Sequence, residues 1–271
     1  MTLIPFAQID AFANQPFEGN QACVMTLDAF YPDDLLQKIA AENNVAETAF
    51  IVAAGDGVWR LRWFTPGTEV PLCGHATLAA AHYLYAHAGY GGDRIRFETM
   101  QSGTLTVCRE PDGRLAMDFP ATKVSEIPVS DAMVGAVGAR PMAAFEGGYL
   151  ALLFEHADTI IGLDPDVAAI GSLGGASLEP GCVGCLAPGG PDGADVTSRF
   201  FAPGVKIPED PATGSWHCMV APLMAPRLDK RSLDCFQAFP GRGAWIGAEA
   251  AGSRVILRGH SVTVIEGTFR L

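Results

Sequence analysis

The sequence is poor in positive charge, and its basic residues form no cluster. Its 271 residues include 18 lysines and arginines against 30 aspartates and glutamates, which gives a formal net charge of −12 at pH 7. Binding to nucleic acid requires a basic surface that displaces counterions from the phosphates. The charge balance therefore excludes nucleic acid as the expected partner and favours a small molecule.

Long apolar runs, a secretory signal and a disulfide framework are also missing. No window of about 18 consecutive apolar residues occurs, so we expect no membrane partner. The first residues, MTLIPFAQIDAF, lack a basic flank, a short apolar run and a cleavage site. The seven cysteines are an odd number at low density, which is typical of a reducing compartment. We therefore expect a cytoplasmic protein.

The chain does have enough apolar residues, 49%, to build a large core as one domain or two of roughly 100 to 150 residues. Strand-like segments separated by glycine and proline turns predict a chain rich in β-structure. Three segments instead favour helices, at residues 32–44, 74–89 and 214–225. The sequence therefore combines many strands with a few helices.

An internal repeat divides the chain. Residues 62–67 (RWFTPG) match residues 199–204 (RFFAPG), and at the same offset residues 70–71 fall opposite residues 207–208. In each copy a strand ends in a Pro-Gly turn, and a helix then opens at a glycine. The first N–H groups of a helix lack partners and attract anions. The repeat predicts two related halves of roughly 130 residues, each with a candidate carboxylate-binding helix start.

Side chains of the types that act as acids, bases or nucleophiles lie near these junctions: Glu47, Cys73, His75, Asp210, Ser215, His217 and Cys218. An enzyme that moves a proton on carbon needs such groups on two sides of its substrate. Each also has a structural explanation. A free cysteine is more often a small buried hydrophobe, Asp210 could order a turn, and His217 could pack on a helix flank. Trp216 could narrow a pocket.

Four segments together resemble the PhzF family of phenazine-biosynthesis isomerase-like proteins: residues 10–24, 43–52, 61–84 and 198–218. They contain DAFANQPFEGNQACV, NNVAETAFIV, LRWFTPGTEVPLCGHATLAAAHYL and SRFFAPGVKIPEDPATGSWHC. Members of this family share the diaminopimelate epimerase fold. The resemblance implies an α+β protein of two pseudo-symmetric halves, each a β-barrel-like sheet around a central helix, with the active site in the cleft between them.

The same resemblance sets the expected boundaries. Residues 1–120 form the N-terminal half and residues 121–260 the C-terminal half. Residues 261–271 form a strand that returns to the N-terminal half. The resemblance also implies that the protein is a homodimer.

The resemblance implies roles residue by residue. Glu47 matches the general acid/base that moves a proton between carbons of a small carboxylate substrate. His75, Asp210 and Ser215 match polar residues that assist this transfer, so we predict these four as catalytic. The predicted substrate-binding residues are Asn20, Cys73, Gly74, Thr213 and Gly214. No metal and no cofactor is implied.

Departures from the family pattern leave two alternatives open. The related epimerases use two cysteines, and Cys73 matches the first, but the segment DPATGS has no second. A racemase or epimerase that depends on Cys73 is one alternative, and a non-catalytic small-molecule-binding relative is the other. The isomerase of phenazine synthesis lacks a cysteine before its Gly-His, so the substrate is not assigned. Cys182 and Cys185 form a lone C-x-x-C without further zinc ligands, in a predicted strand edge and loop.

Overall fold

The computed structural model of the protein describes residues 1–55, 57–173 and 180–271. Its strands are β1 (Leu3–Ala11), β2 (Asn20–Leu27), β3 (Glu47–Gly55), β4 (Val58–Phe64), β5 (Glu69–Val70), β6 (Arg94–Thr99), β7 (Thr104–Arg109), β8 (Leu115–Pro120), β9 (Ser125–Ile127), β10 (Ala143–Glu146), β11 (Leu150–Leu153), β12 (Val183–Pro188), β13 (Val196–Phe201), β14 (Glu209–Asp210), β15 (Ser232–Gln237), β16 (Ala244–Ala251), β17 (Arg254–Gly259) and β18 (Ser261–Arg270).

The α-helices are α1 (Asp33–Asn43), α2 (Gly74–Ala86), α3 (Asp131–Val137), α4 (Ala157–Ile161), α5 (Val167–Gly171) and α6 (Gly214–Met224). Within the described ranges, none of them is both long and apolar enough to cross a membrane. Helix α1 carries two aspartates in its first turn and ends at Asn44 in the left-handed conformation, as its sequence predicts. Pro32 is the residue before its first turn, not the first helical residue.

The chain forms two compact units. Unit 1 comprises Met1–Asp118 and Arg258–Leu271, and unit 2 comprises Phe119–Leu257. The last strand, β18, lies in unit 1 and pairs antiparallel with the whole of β1, with one register shift after Gln8. The backbones of Thr2 and Leu271 exchange two hydrogen bonds beyond the end of this ladder. The first and last residues of the chain therefore lie side by side.

Both units use the same order of strand pairing. In unit 1, β1 pairs antiparallel with β2, β2 parallel with β3, β3 antiparallel with β4, β4 parallel with β6, and β6 antiparallel with β7. In unit 2, strands β10, β11, β12, β13, β15 and β16 repeat this series. Parallel neighbours require a crossover connection, and α2 and α6 occupy equivalent crossovers. The internal repeat is therefore present in the strand pairing.

The pairing also corrects the alignment of the two copies. Glu69 pairs with the last residue of β4, and Glu209 pairs with the last residue of β13, so these two glutamates are equivalent. Gly67 and Glu69 are two residues apart, whereas Gly204 and Glu209 are five apart. The three extra residues of the second copy thus lie before Glu209.

The expected match of residues 70–71 with residues 207–208 was wrong, because a constant offset cannot place an insertion. With the insertion before Glu209, the segment EVPLCGH (69–75) matches EDPATGS (209–215) without a gap. Cys73 is then equivalent to Thr213, and His75 to Ser215.

Helices α2 and α6 are buried on nearly every side. In α2 the buried residues run continuously from His75 to Ala81 and include Tyr83 and Leu84. In α6 they run from Trp216 to Met224 with the exception of Pro222. A helix that is apolar all round lies in a core, and the small side chains of α2 allow it to pack against β1, β2 and β3. The central helix of each unit thus has a fixed position.

A buried arginine forks onto a glutamate just before each central helix. In unit 1 the Nε and Nη2 atoms of Arg62 donate to the two carboxylate oxygens of Glu69, both at 2.7 Å. In unit 2 Arg199 makes the same fork to Glu209, at 2.7 and 2.8 Å. The third nitrogen of Arg199 donates to the Leu163 carbonyl at 2.5 Å. Both arginine side chains are only 6% exposed. The forks fix β5 against β4 and β14 against β13. They therefore also fix the segments that lead from these strands into α2 and α6.

We expect Arg199→Met to destabilise the protein by about 3 kcal/mol, because it leaves the Glu209 carboxylate, 11% exposed, buried without its counter-charge. Arg140→Met is the matched control, since Arg140 and Asp131 form an exposed pair and such pairs contribute within about 1 kcal/mol. Urea unfolding of both variants measures the difference. Equal losses in the two variants would contradict a supporting role for the fork.

Candidate active site

Four of the predicted site residues come together in unit 1. Asn20 is the first residue of β2, Glu47 is the first residue of β3, and Cys73 and His75 lie at the start of α2. Strands β2 and β3 are parallel neighbours, with Ala22 opposite Glu47, so both strands begin at the same edge of the sheet. Because α2 packs against both strands, its first turn lies over that edge.

His75 is at the centre of this group. Its Nε2 atom lies 2.8 Å from Oε2 of Glu47. Its Nδ1 atom lies 3.4 Å from Nδ2 of Asn20 and 3.5 Å from Sγ of Cys73. The histidine, the asparagine and the cysteine are buried, whereas the Glu47 side chain is 16% exposed. Glu47 is thus the most exposed side chain of the group, although its Oε2 atom is itself buried.

The charges of the group favour a proton on His75. Burial alone lowers the pKa of His75, but the negative charges of Cys73 and Glu47 outweigh it and raise that pKa well above 6.5. Burial, followed by the charge of Glu47, raises the pKa of the Cys73 thiol. Burial thus favours a protonated Cys73, whereas negative charge on either neighbour favours a protonated His75.

The Glu47 contact is an ion pair of close approach rather than an aligned hydrogen bond. The two atoms are 2.8 Å apart, yet among the described residues Oε2 of Glu47 has no hydrogen bond of acceptable geometry. A buried carboxylate oxygen without an aligned donor keeps a lone pair for another proton. Glu47 thus pairs closely with His75 and keeps an oxygen without an aligned donor.

Gly19 explains how Asn20 reaches the group. Its φ is +62°, and a Cβ atom at this position would lie 2.0 Å from the Ala11 carbonyl oxygen. Only glycine fits this turn, and the turn places Asn20 at the first position of β2. In the motif EGNQ, Gly19 thus allows the tight backbone turn and Asn20 provides a side chain of the site.

In unit 2, Asp210 and Thr213 form a second group with a residue that the sequence did not indicate. Oγ1 of Thr213 donates to Oδ2 of Asp210 at 2.5 Å. Gln237 accepts from the Thr213 N–H at 2.9 Å and donates to the Asp210 carbonyl at 2.6 Å. It is fully buried at the end of β15, where alternate residues face inward. A polar residue at an inward position of a strand is the signal that could have identified it.

Ser215 pairs with a second residue that the sequence analysis missed. Its Oγ atom lies 2.7 Å from the hydroxyl of Tyr149, and the Tyr149 ring contacts Phe200 edge-on at 4.7 Å. Trp216 is fully buried, and a Cβ atom on Gly184 would lie 2.4 Å from its ring. The structure therefore gives Trp216 a packing role in the core of unit 2, in place of the expected pocket-narrowing role.

The remaining candidates have structural positions. His217 donates from Nδ1 to the Thr213 carbonyl at 2.8 Å, and burial lowers its pKa to about 4, so it is neutral. Cys218 lies beyond the position equivalent to Cys73, which Thr213 occupies. Cys182 and Cys185 are buried, and neither forms a disulfide bond. Cys185 lies in β12, which is paired on both sides and is not an edge strand as expected.

The geometry in unit 1 suits proton transfer and also metal binding. One carboxylate, one thiol and one imidazole place their ligand atoms within 4.8 Å of one another at Glu47, Cys73 and His75. In unit 2, Asp210 supplies a carboxylate, and Thr213 and Ser215 supply hydroxyls. Within the described residues, neither α2 nor α6 has a side-chain cap on its first turn. First-turn N–H groups without a cap can bind an anion, although the Ala76 N–H already bonds to Cys73.

Comparison with known proteins agrees with these observations. The PhzC-PhzF family, described as phenazine biosynthesis-like protein, matches residues 9–267. An uncharacterized isomerase of Pseudomonas aeruginosa is 42% identical over 99% of both chains. A crystal structure of a PhzF family protein from Enterococcus faecalis has a TM-score of 0.93 at 34% identity and covers both chains completely. A hydroxyproline epimerase of Agrobacterium vitis shares the fold alone, with a TM-score of 0.59 at 11% identity over 98% of this chain and 92% of that one. The predicted fold class is thereby confirmed.

Replacement of Gln237 by leucine tests the order of the unit 2 group. The change leaves the Thr213 N–H and the Asp210 carbonyl without their partner, at a cost of about 1 to 3 kcal/mol for each buried group. We expect faster amide exchange in the peptide that contains Thr213, measured by hydrogen–deuterium exchange and mass spectrometry. The control is Gln101→Leu, at an exposed turn of unit 1. Unchanged exchange at Thr213 in the Gln237 variant would show that the glutamine does not hold this segment.

Proposed function

This chain belongs to the PhzC-PhzF family of phenazine biosynthesis-like proteins, and from that premise we propose that it is an isomerase that moves a proton between carbons of a small carboxylate-bearing substrate. The observation that carries the proposal is the approach of Oε2 of Glu47 to Nε2 of His75, 2.8 Å apart at the start of a buried helix. The reaction uses general acid/base catalysis, and no cofactor takes part in the proposed steps.

Glu47 performs the transfer in this mechanism. Its carboxylate takes a proton from a carbon of the substrate, and the electrons of the broken C–H bond delocalise toward the neighbouring carboxylate as an enolate-like anion. The carboxylic acid then returns the proton to a different carbon, so the net change is a shift of one hydrogen and one double bond. The imidazolium of His75 stabilises the Glu47 carboxylate before and after the transfer.

The uncapped start of α2 supports the choice of a carboxylate substrate. Cys73 precedes the helix in an extended conformation, and Gly74 is its first residue. Glycine lets a ligand approach the backbone closely, and the first-turn N–H groups stabilise negative charge where it develops. In unit 2, Thr213 and Gly214 offer the same arrangement at α6.

We assign supporting roles to the remaining predicted residues. Asn20 contacts His75 and orients its ring. Asp210 is held by Thr213 and Ser215 by Tyr149, so both polar groups have defined positions. In the proposal these two side chains contact the substrate and assist the proton transfer.

Solvent deuterium incorporation, followed by NMR, tests the proposal across a panel of amino acids, hydroxy acids and cyclic dienoic acids. We expect exchange at one carbon of an active compound, and a decrease of about 100- to 10,000-fold in Glu47→Gln, because general acid/base groups contribute rates of this order. Glu42→Gln, on the exposed side of α1, is the matched control. Deuterium exchange at the wild-type rate in Glu47→Gln would contradict the role of Glu47 as the general acid/base.

A racemase or epimerase that uses Cys73 is the second candidate function, and the 3.5 Å distance between its sulfur and Nδ1 of His75 favours it. The raised pKa of the thiol argues against a reactive thiolate. We therefore expect iodoacetamide to alkylate Cys73 slowly at pH 7 and faster as the pH rises, as measured by mass spectrometry.

Cys73→Ala gives the decisive comparison for this alternative. In the proposed isomerase, Cys73→Ala reduces deuterium exchange less than Glu47→Gln does, because the thiol does not transfer the substrate proton. Rapid alkylation at pH 7, together with a loss in Cys73→Ala as large as in Glu47→Gln, would establish the thiol as the base instead.

A further inference from the structure

Glu47, Cys73 and His75 form a ligand set of the type that binds zinc. Their carboxylate oxygen, sulfur and imidazole nitrogen all lie within 4.8 Å of one another. Thiolate, imidazole and carboxylate are the three protein ligands of Zn²⁺, and sites with three protein ligands keep a fourth position open. The combination of one soft sulfur with one nitrogen favours zinc over a hard cation such as Mg²⁺.

Two of the three distances between these ligand atoms are known individually, and the third, between a Glu47 carboxylate oxygen and Sγ of Cys73, is within 4.8 Å. Nε2 of His75 lies 2.8 Å from Oε2 of Glu47 and 4.0 Å from Sγ of Cys73. Ligand atoms around tetrahedral zinc are roughly 3.3 to 3.6 Å apart, because the metal–ligand bonds are about 2.0 to 2.3 Å long. One distance must therefore open and the other must close, each by about half an ångström. The sulfur lies nearer to Nδ1, at 3.5 Å, so the imidazole ring must turn to bring Nε2 toward the thiolate.

Asn20 provides the outer support that a histidine ligand needs. A histidine that binds metal through one nitrogen usually donates from the other to an oxygen, which fixes the orientation of the ring. The Asn20 amide lies 3.4 Å from Nδ1 of His75, and half a turn of the amide presents its oxygen in place of its nitrogen. Asn20 is itself 2% exposed, so the support is shielded from water.

From this geometry we propose that Zn²⁺ binds to Glu47, Cys73 and His75 and switches the site off. Binding of the metal releases the protons of Cys73 and His75 to solvent and occupies the Glu47 carboxylate oxygen that the proton transfer requires. The inhibitory consequence rests on the proposed function, whereas the binding of zinc does not. Zinc is therefore a regulator or an antagonist of this site and not its cofactor.

The test uses the full chain after treatment with a chelator. Zn²⁺ is titrated in competition with a chromophoric chelator, and Co²⁺ serves as a spectroscopic probe. We expect one metal ion per chain, an intense visible spectrum of tetrahedral Co²⁺ and a thiolate-to-cobalt band in the near ultraviolet. Cys73→Ser is expected to weaken zinc binding by about 100-fold or more and to remove the thiolate band. Asn20→Leu is expected to weaken binding by about 10-fold.

Cys108→Ser is the matched control, because Cys108 is a partly exposed thiol of unit 1 outside the set, and it is expected to bind zinc as the wild type does. Circular dichroism verifies that each variant folds, and Glu47→Gln provides a second ligand variant if Cys73→Ser does not. Zinc binding of wild-type strength in the folded ligand variants, or a cobalt spectrum without a thiolate band, would overturn the site.

The deuterium-exchange assay separates the two proposals. Inhibition of wild-type exchange by one equivalent of Zn²⁺ supports both of them. Zinc bound at the triad with exchange unaffected overturns the inhibitory role. Triad-dependent zinc binding, combined with exchange that persists in Glu47→Gln, overturns the proposed function and leaves the metal site standing.

Discussion

The buried fork between an arginine and a glutamate is the interaction on which each candidate site depends. A guanidinium at 6% exposure is tolerated only when its donors are matched, and two parallel hydrogen bonds to one carboxylate impose a strict geometry. The glutamate belongs to a strand of two residues, so the fork fixes that strand against β4 or β13. The central helix begins four residues after this strand ends, at Gly74 or Gly214. The fork therefore also determines the positions of Cys73 and Thr213.

The two units use this common support for different chemistry. Equivalent positions carry Cys73 and His75 in unit 1 but Thr213 and Ser215 in unit 2. The first pair joins Glu47 in a group of one carboxylate, one thiol and one imidazole, whereas the second pair consists of hydroxyls held by Asp210 and Tyr149. The two copies of the repeat therefore present different functional groups at equivalent backbone positions. A duplicated architecture has kept its backbone geometry while its side chains diverged.

Local patterns predicted the features that depend on neighbouring residues. The strands, the central helices and the repeat followed from short segments, whereas the resemblance to the PhzF family implied that Glu47 and His75 belong to one site. Gln237 and Tyr149 were missed because they reach the site from distant parts of unit 2, where no nearby motif marks them. The insertion before Glu209 was misplaced because strand pairing, and not letter matching, determines which residues are equivalent. Trp216 was misjudged because its burial depends on the close approach of Gly184.

The pairing of β18 with β1 imposes an order on folding during synthesis. Unit 2 ends at Leu257, whereas the sheet of unit 1 contains Ser261–Arg270. A chain emerging from the ribosome can therefore complete its second unit before its first, although domains usually finish in sequence order. Until the last strand is released, β1 exposes one edge along its whole length, and such an edge is a template for wrong pairing. The strand that closes unit 1 thus also protects this edge of β1 from wrong pairing.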